Sequence, residues 1–192
     1  MSSKTPSPGA AGREIIPAAE TGCDLTREEA RALGVYLVPM HVSMGSETRP
    51  DGSFPAEEVC AFYERTGAVP QNLDYLRAGG RVSNAAALIS GVLNLHPAIH
   101  VTGGKLVAGR KYRGSMDKVA RRLVRDEAEA GSLSRDQLYL IRSPGLSREV
   151  MNAAEDEVRR CGFGRFEWVK TGCVITCHGG PGAFGVVGFS SR

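Results

Sequence analysis

The spacing of hydrophobic residues alternates along the chain between a helical period and a strand-like period. The clearest helical period covers residues 115–130, where hydrophobic residues recur three or four positions apart and basic residues fill the other positions. This spacing predicts an amphipathic helix with a basic exposed surface. Its hydrophobic positions are Met116, Val119, Ala120, Leu123 and Val124.

Residues at the ends of segments predict the other helices. Thr26 and Glu29 have the spacing of a capping box, and Gly34 can end the helix that follows. Pro55 suits the first turn of a helix that runs to Thr66. Helices are also predicted over residues 73–78, 83–93 and 147–160.

Short hydrophobic stretches between these helices predict strands. Pro39 cannot donate a hydrogen bond, so it restricts the stretch 35–42 to an edge or a bulge, and residues 46–55 have the composition of a turn. The order of strands and helices predicts an α/β fold (mixed α+β), with helices packed on a mixed sheet. The other predicted strands cover residues 15–19, 97–101, 105–113, 137–142, 165–170, 173–177 and 184–189.

Composition narrows the class of protein. The chain has 192 residues and a formal net charge of +3, which is too small to indicate nucleic acid as the main partner. The five cysteines are sparse and odd in number, and the first residues are rich in Ser, Pro and Gly rather than basic and then apolar. We therefore expect no leader peptide and a cytoplasmic protein. The longest apolar run, residues 84–95, is too short and interrupted to span a bilayer.

The loop "HGGPG", residues 178–182, is a candidate anion site. Its glycines would let backbone N–H groups approach an anionic group, and His178 would add a donor or a proton carrier. A plain turn rich in glycine is the alternative. The loop is similar to the oxyanion loop of esterases, but the chain has no G-x-S-x-G nucleophile. We therefore reject the hydrolase interpretation. An enzyme that uses His178 as an acid or base is the other possibility, but nothing in the sequence supplies a nucleophile or a metal set beside it, so we expect no enzyme activity.

Cys173, Cys177 and His178 contain the donor types that zinc prefers. Their C-x3-C-H spacing lies inside an apolar stretch, and no second pair at finger-like spacing would complete four ligands. We expect no metal, and we interpret the two cysteines as buried thiols at alternating positions of a strand.

Two further groups of residues are candidates for binding. Arg81 follows paired glycines at a predicted helix start, where it could receive a carboxylate or phosphate, or pair on the surface. The helix after it would line an apolar channel or belong to the core, with Leu88, Ile89 and Val92 on one face. A group of basic residues would dock an acidic partner or lie in solvent: Lys111, Arg113, Arg121 and Arg122.

Five stretches in order resemble the DegV family of bacterial fatty-acid-binding proteins, which includes the lipid-carrying subunit of fatty acid kinase. They are "ETGCDLT", "LGVYLVPMHV…DG", "LDYLRAGGRVSNAAAL…LNLHPAI", "GKLVAGRKYRG" and "HGGPGAFGV". The resemblance implies a two-domain α/β protein that encloses one long-chain fatty acid and takes no cofactor. It also implies that the lipid carboxyl group is presented to a separate kinase catalytic subunit, with transient contact to a membrane surface.

The resemblance also assigns residues to the lipid head group. Arg81 matches the arginine after the family's double glycine, and His178 begins the family's glycine-proline loop, with Gly179 and Gly180 beside it. Thr21 stands where the family has the serine of its opening motif.

The chain departs from the family between "GAVPQ" and "NLDYLRAGG", where a large internal segment is missing. We therefore predict a tail over residues 1–12, a truncated N-terminal domain over 13–71 and an apparently complete C-terminal domain over 72–192. The truncated part would pack on the second domain, pair with another copy or stay mobile. The alternative function is a regulatory remnant that docks a partner without lipid.

Overall fold

The computed structural model describes residues 17–68, 95–102 and 105–190. Within these ranges helices and strands alternate, as the hydrophobic pattern predicts, and the fold is a mixture of helices and small sheets. The helices are α1 (Arg27–Ala32), α2 (Glu57–Thr66), α3 (Met116–Glu129), α4 (Arg148–Arg160) and α5 (Cys173–Gly179). The strands are β1 (Ala18–Glu20), β2 (Tyr36–Val38), β3 (His41–Met44), β4 (Glu47–Pro50), β5 (Leu95–Thr102), β6 (Lys105–Arg113), β7 (Leu133–Arg142), β8 (Arg165–Lys170) and β9 (Phe184–Ser190).

The first described segment forms a small β-α-β unit. β1 pairs in parallel with β2, and α1 lies between them in sequence. The predicted capping box is confirmed, because the Thr26 hydroxyl accepts from the N–H of Glu29 and the Glu29 carboxylate accepts from the N–H of Thr26. The predicted strand 35–42 is divided around Pro39 into β2 and β3, since proline interrupts the ladder.

β3 and β4 form an antiparallel hairpin that ends at a buried aspartate. The region predicted as one turn is therefore partly wrong, because β4 pairs with β3 before the turn at Asp51 and Gly52 begins. Gly52 has φ +77 and Gly67 ends α2 with φ +67, conformations that favour glycine. The predicted helix from Pro55 to Thr66 is confirmed as α2.

β5 and β6 form a two-stranded antiparallel ribbon that packs on α3 through one of its faces. The side chain of Tyr112 in β6 is buried, and its hydroxyl donates to Asp126 of α3 at 2.7 Å. Arg110, two residues earlier, contacts the same carboxylate at 2.6 Å. The pairing slips between Pro97 and Ile99, where a bulge interrupts the ladder.

The largest core lies between a three-stranded sheet, in the order β8-β7-β9, and the helices α3 and α4. β7 is parallel to β8 and antiparallel to β9. Glu157 of α4 is buried and accepts from Arg125 of α3 at 2.9 Å, so an ion pair also joins the two helices. The core contains Val124, Leu138, Leu140, Ala154, Val158 and Phe163.

The prediction of a strand over residues 173–177 is wrong, because these residues form helix α5. β-branched Val174, Ile175 and Thr176 favour a strand by propensity, but tertiary contacts override that preference. The two cysteines are buried as expected, at 1% and 7% exposure. They lie one helical turn apart rather than at alternating strand positions.

Helix α5 joins the first part of the chain to the last. Cys173, Val174 and Cys177 share a second core with residues of β3, α2 and the loop between β4 and α2. The first part of the chain was expected to pack on the later part, to pair with another copy or to stay mobile. In the structure, its described residues pack against the later segments. The core residues contributed by the first part are Met40, Val42, Met44, Phe54, Ala56 and Val59.

Several predictions fall outside the described residues. They are the tail, the helices 73–78 and 83–93, and the domain boundary at Gln71 and Asn72, so the proposed domain division stays a prediction. None of the helices in the described ranges has both the length and the apolar character needed to cross a membrane.

Candidate functional site

The candidate site lies at one edge of the three-stranded sheet. β7 and β8 are parallel and both end there, at Arg142 and Lys170, while β9 begins there at Phe184. The segments that continue from these ends are therefore brought together. In open α/β sheets, ligands commonly bind where the carboxyl ends of parallel strands meet.

His178 lies in the last turn of α5 at this edge, and its side chain is exposed. Nearby protein lowers the pKa of His178 below its usual range, because it removes part of the water around the ring. The imidazole is therefore mainly neutral at pH 7 and carries one N–H donor. A neutral donor of this kind can hydrogen-bond to an anionic oxygen.

The glycine loop after His178 is held by bonds within the protein. The N–H of Gly180 donates to the carbonyl of Thr176 at 2.9 Å, and the N–H of Gly182 donates to the carbonyl of Pro144 at 2.8 Å. Both glycines have positive φ, at +76 and +71, so their conformation favours glycine. These two amides already have acceptors. The role predicted for Gly179 and Gly180 at a head group stays a prediction.

The sequence did not indicate a role for Ser143. The structure places this residue against the glycine loop. It is 1% exposed, and its hydroxyl donates to the carbonyl of Gly180 at 2.7 Å. The same hydroxyl accepts from the N–H of Ala183 at 2.7 Å. The "SPG" turn after β7 was the only local signal, and it does not reveal a partner in the loop some forty residues later.

Thr21 belongs to the 3-10 turn that follows β1 and contacts α5. Its hydroxyl accepts from the N–H of Met40 at 3.1 Å. A Cβ added to the next residue, Gly22, would lie 3.6 Å from the side chain of Val174. Val174 and His178 are four residues apart in α5 and therefore share a face of the helix. The structure thus places the turn containing Thr21 beside Val174, one helical turn before His178.

Two carboxylates hold the first residues of α5. Asp24 accepts from the N–H of Gly172 at 2.7 Å, and Asp51 accepts from the N–H of Cys173 at 3.2 Å. Burial, with a smaller contribution from the nearby charge of Asp51, raises the pKa of Asp24 to about 6. Acidic groups at a helix N-terminus satisfy N–H groups that have no partner within the helix.

The face of the three-stranded sheet away from α3 and α4 carries an apolar strip along β7 and β9, with the exposed charged residues Arg165 and Glu167 of β8 beside it. Helices α3 and α4 cover one face, while the side chains that alternate with the buried ones point to the other. Val187 and Phe189 are 51% and 64% exposed on this second face, and the Phe189 ring contacts that of Tyr139 with centroids 6.2 Å apart. Half-buried Ile141 and Val169 continue the apolar surface to the edge where the glycine loop begins.

The four basic residues predicted to dock a partner are divided over several surfaces. Arg121 pairs with Asp156 of α4 at 3.1 Å, and the Arg122 guanidinium lies 5.7 Å from the ring of Tyr112. Lys111 and Arg113 flank Tyr112 in β6, so they lie on the face of the ribbon away from α3. Both are exposed.

The remaining candidates are Arg81, the channel residues and the two cysteines of α5, and only the cysteines lie in the described part of the chain. Arg81 and the channel candidates Leu88, Ile89 and Val92 lie outside the described residues. Burial raises the pKa of the thiols of Cys173 and Cys177 to about 12, so both stay protonated at neutral pH and are poor metal ligands. Across residues 17–68, 95–102 and 105–190, no three potential ligand side chains are grouped as a metal site.

Comparison with known families identifies relatives over most of the chain. The family model described as "Uncharacterised protein, DegV family" matches residues 56–191. A DegV domain-containing protein of Deinococcus radiodurans is 32% identical over 120 residues, which cover 59% of this chain and 40% of that protein. The chain spans about half the length, or less, of the first curated relatives that it matches.

Solved structures share the fold at low sequence identity. A DegV family protein from Thermus thermophilus, described by its fatty acid binding, aligns with a TM-score of 0.70 and 16% identity, covering 92% of this chain and 99% of that one. The fatty acid kinase B3 protein of Streptococcus pneumoniae, loaded with linoleic acid, aligns with a TM-score of 0.65 and 10% identity, covering 82% and 92% of the two chains. Identities this low establish the fold alone.

Proposed function

This chain belongs to the DegV family, and we propose that it binds a long-chain fatty acid with the carboxyl group beside His178. The main support for this proposal is that a polar surface and an apolar surface meet at one edge of the sheet. The glycine loop and His178 lie at this edge, and the apolar strip along β7 and β9 begins there. A fatty acid has the same two parts, a charged group at the end of an apolar chain.

Each surface contributes a different kind of interaction. The acyl chain would lie along Ile141, Val187 and Phe189, where each methylene removed from water contributes about 0.8 kcal/mol. The neutral ring of His178 would donate to the carboxylate, and a nearby anion would raise the pKa of His178. Thr21 and Arg81 remain the other predicted head-group residues.

We further propose that the chain presents the bound carboxyl group to a separate kinase subunit and performs no chemistry itself. The name of the Streptococcus pneumoniae relative, a fatty acid kinase protein, supports this step. Of the four predicted docking residues, Lys111 and Arg113 form an exposed basic pair on one face of the ribbon. They suit an acidic partner surface better than Arg121, which already has a carboxylate partner.

The cytoplasm is the proposed location, with transient contact at a membrane surface to collect lipid. All five cysteines are free thiols, which suits a reducing compartment.

Binding of palmitic acid and of its methyl ester by the delipidated full chain tests the proposed function. The two ligands share the acyl chain, but only the acid carries a charge. We expect saturable binding of both, with the acid bound more tightly. His178→Gln should weaken binding of the acid about tenfold, equivalent to about 1.4 kcal/mol, and should leave the ester nearly unchanged.

His100→Gln is the matched control, because His100 is an exposed histidine of the ribbon whose ring lies 3.9 Å from Glu127. It should bind both ligands like the parent chain. Absence of saturable binding of either ligand to the parent chain would reject the proposal. If that lipid-free chain still captured the kinase subunit, and reversal of Lys111 and Arg113 abolished capture, the regulatory alternative would replace it.

A further inference from the structure

We propose that Ser143 is the positioning residue of the glycine loop, holding His178 and the loop in the geometry that receives the lipid head group. This inference rests on the proposed function and adds a residue to it. Ser143 does not touch the ligand in this scheme. It acts through the loop that follows His178.

The hydroxyl of Ser143 bridges the two ends of the loop. It donates to the carbonyl of Gly180 at 2.7 Å and accepts from the N–H of Ala183 at 2.7 Å. The backbone N–H of Ser143 also donates to the carbonyl of Ala183 at 3.0 Å. One buried residue therefore fixes the loop both where it leaves helix α5 and where it enters strand β9.

The backbones of the two loops are also in close contact. The N–H of Gly182 donates to the carbonyl of Pro144 at 2.8 Å. A Cβ added to Gly145 would lie 3.4 Å from the nitrogen of Gly182, so there is little space between the segments. A shift at Ser143 must therefore move the glycine loop as well.

The contacts of Ser143 differ from those of an ordinary buried residue. Its side chain is small and contributes little apolar surface, yet its hydroxyl acts both as a donor and as an acceptor. Replacement by alanine would leave the N–H of Ala183 and the carbonyl of Gly180 without this partner. Such groups find new partners by moving, or they take up water. In either case the loop keeps its backbone bonds to Ser143 and Pro144 but loses the side-chain bridge that joins its two ends.

Ser143→Ala tests this role through the difference between two ligands. A positioning residue affects the interaction with the charged head group, whereas a general loss of structure affects acid and ester together. We expect Ser143→Ala to weaken binding of palmitic acid five- to tenfold and to change binding of the methyl ester less than twofold. Ser143→Cys, which keeps a weak donor of similar size, should show an intermediate loss and serves if the alanine variant folds poorly.

Combination with His178→Gln separates an action through the loop from an independent effect. If Ser143 acts by positioning His178, the double variant should bind the acid no more weakly than His178→Gln alone. Ser134→Ala is the matched control, because Ser134 lies at the opposite end of β7 and its hydroxyl donates to exposed Asp136 at 2.9 Å. This control should bind both ligands like the parent chain.

A readout without ligand keeps the inference distinct from the proposed function. In the ligand-free chain, NMR titration of the His178 ring should show that Ser143→Ala moves its pKa upward toward the ordinary value, while Ser134→Ala does not. An unchanged His178 titration, equal losses for acid and ester, or fully additive losses in the double variant would overturn the role of Ser143. Failure of the parent chain to bind palmitic acid would instead overturn the proposed function and the head-group role together.

Discussion

The two ends of helix α5 are held by different chemistry. At the first end, two carboxylates accept from the N–H groups of Gly172 and Cys173 and join the chain's first segment to its last. At the second end, a neutral hydroxyl and backbone carbonyls hold the loop that follows His178. The comparison indicates that carboxyl oxygens from a distant part of the chain support the fold at one end, while a hydroxyl and backbone groups at the other end shape a candidate binding site.

Asp51→Ala should give the largest effect at the first end. Asp51 is 4% exposed, and its loss leaves the N–H of Cys173 without an acceptor in the second core. We expect the free energy of unfolding to fall by about 2–3 kcal/mol, measured by urea denaturation. Asp51→Asn keeps an oxygen acceptor and should lose clearly less.

The same variant also tests whether the two ends of helix α5 act independently in ligand binding. Where Asp51→Ala is still folded, its ratio of acid to ester affinity should match that of the parent chain, because the glycine loop keeps its own contacts. Equal stability of the parent, alanine and asparagine forms would show that this carboxylate does not support the fold.

Asp24→Asn should change the pH dependence of stability. Burial raises the pKa of Asp24 from 3.8 to about 6, so the folded chain holds this proton more tightly than the unfolded chain does. The contribution of Asp24 to the free energy of unfolding is therefore fully present below about pH 4 and is lost as the pH rises through about 6. Asparagine can still accept from Gly172 but does not titrate.

The full shift corresponds to about 3 kcal/mol, but Asp24 is partly exposed and solvent screens its charge. We therefore expect Asp24→Asn to remove about 1–2 kcal/mol of the pH-dependent loss of stability between about pH 4 and pH 7. Urea denaturation at several pH values measures the difference, with Asp136→Asn as a control at an exposed aspartate. If the free energy of unfolding changed with pH in the same way for the parent chain and for Asp24→Asn, the pH dependence could not be assigned to Asp24.

Local signals in the sequence predicted much of the fold. The capping box at Thr26 and the amphipathic period of α3 require only neighbouring residues, and both are confirmed. Helix α5 was not predicted, because the carboxylates that satisfy its first N–H groups come from Asp24 and Asp51. No local pattern shows contacts between residues more than a hundred positions apart.

The candidate site could be predicted only where local sequence signals mark it. The glycine loop and His178 are conspicuous in the sequence, and the structure places them at the sheet edge. Ser143 is an ordinary turn residue in sequence, and only the pairing of β7 with β9 brings it to the loop. The partition of the basic residues could not be predicted either, since Arg121 pairs with a residue of another helix. Arg81 stays a prediction.

Paramagnetic broadening by spin-labelled fatty acids tests the central claim most directly, because it locates both ends of the ligand on the folded chain. A label near the carboxyl group should broaden NMR signals of His178 and Gly180, and a label near the methyl end should broaden those of Tyr139 and Phe189. Excess unlabelled palmitic acid should restore all four signals. Broadening by both labels at residues remote from the sheet edge and its open face, with these four signals unaffected, would contradict the account.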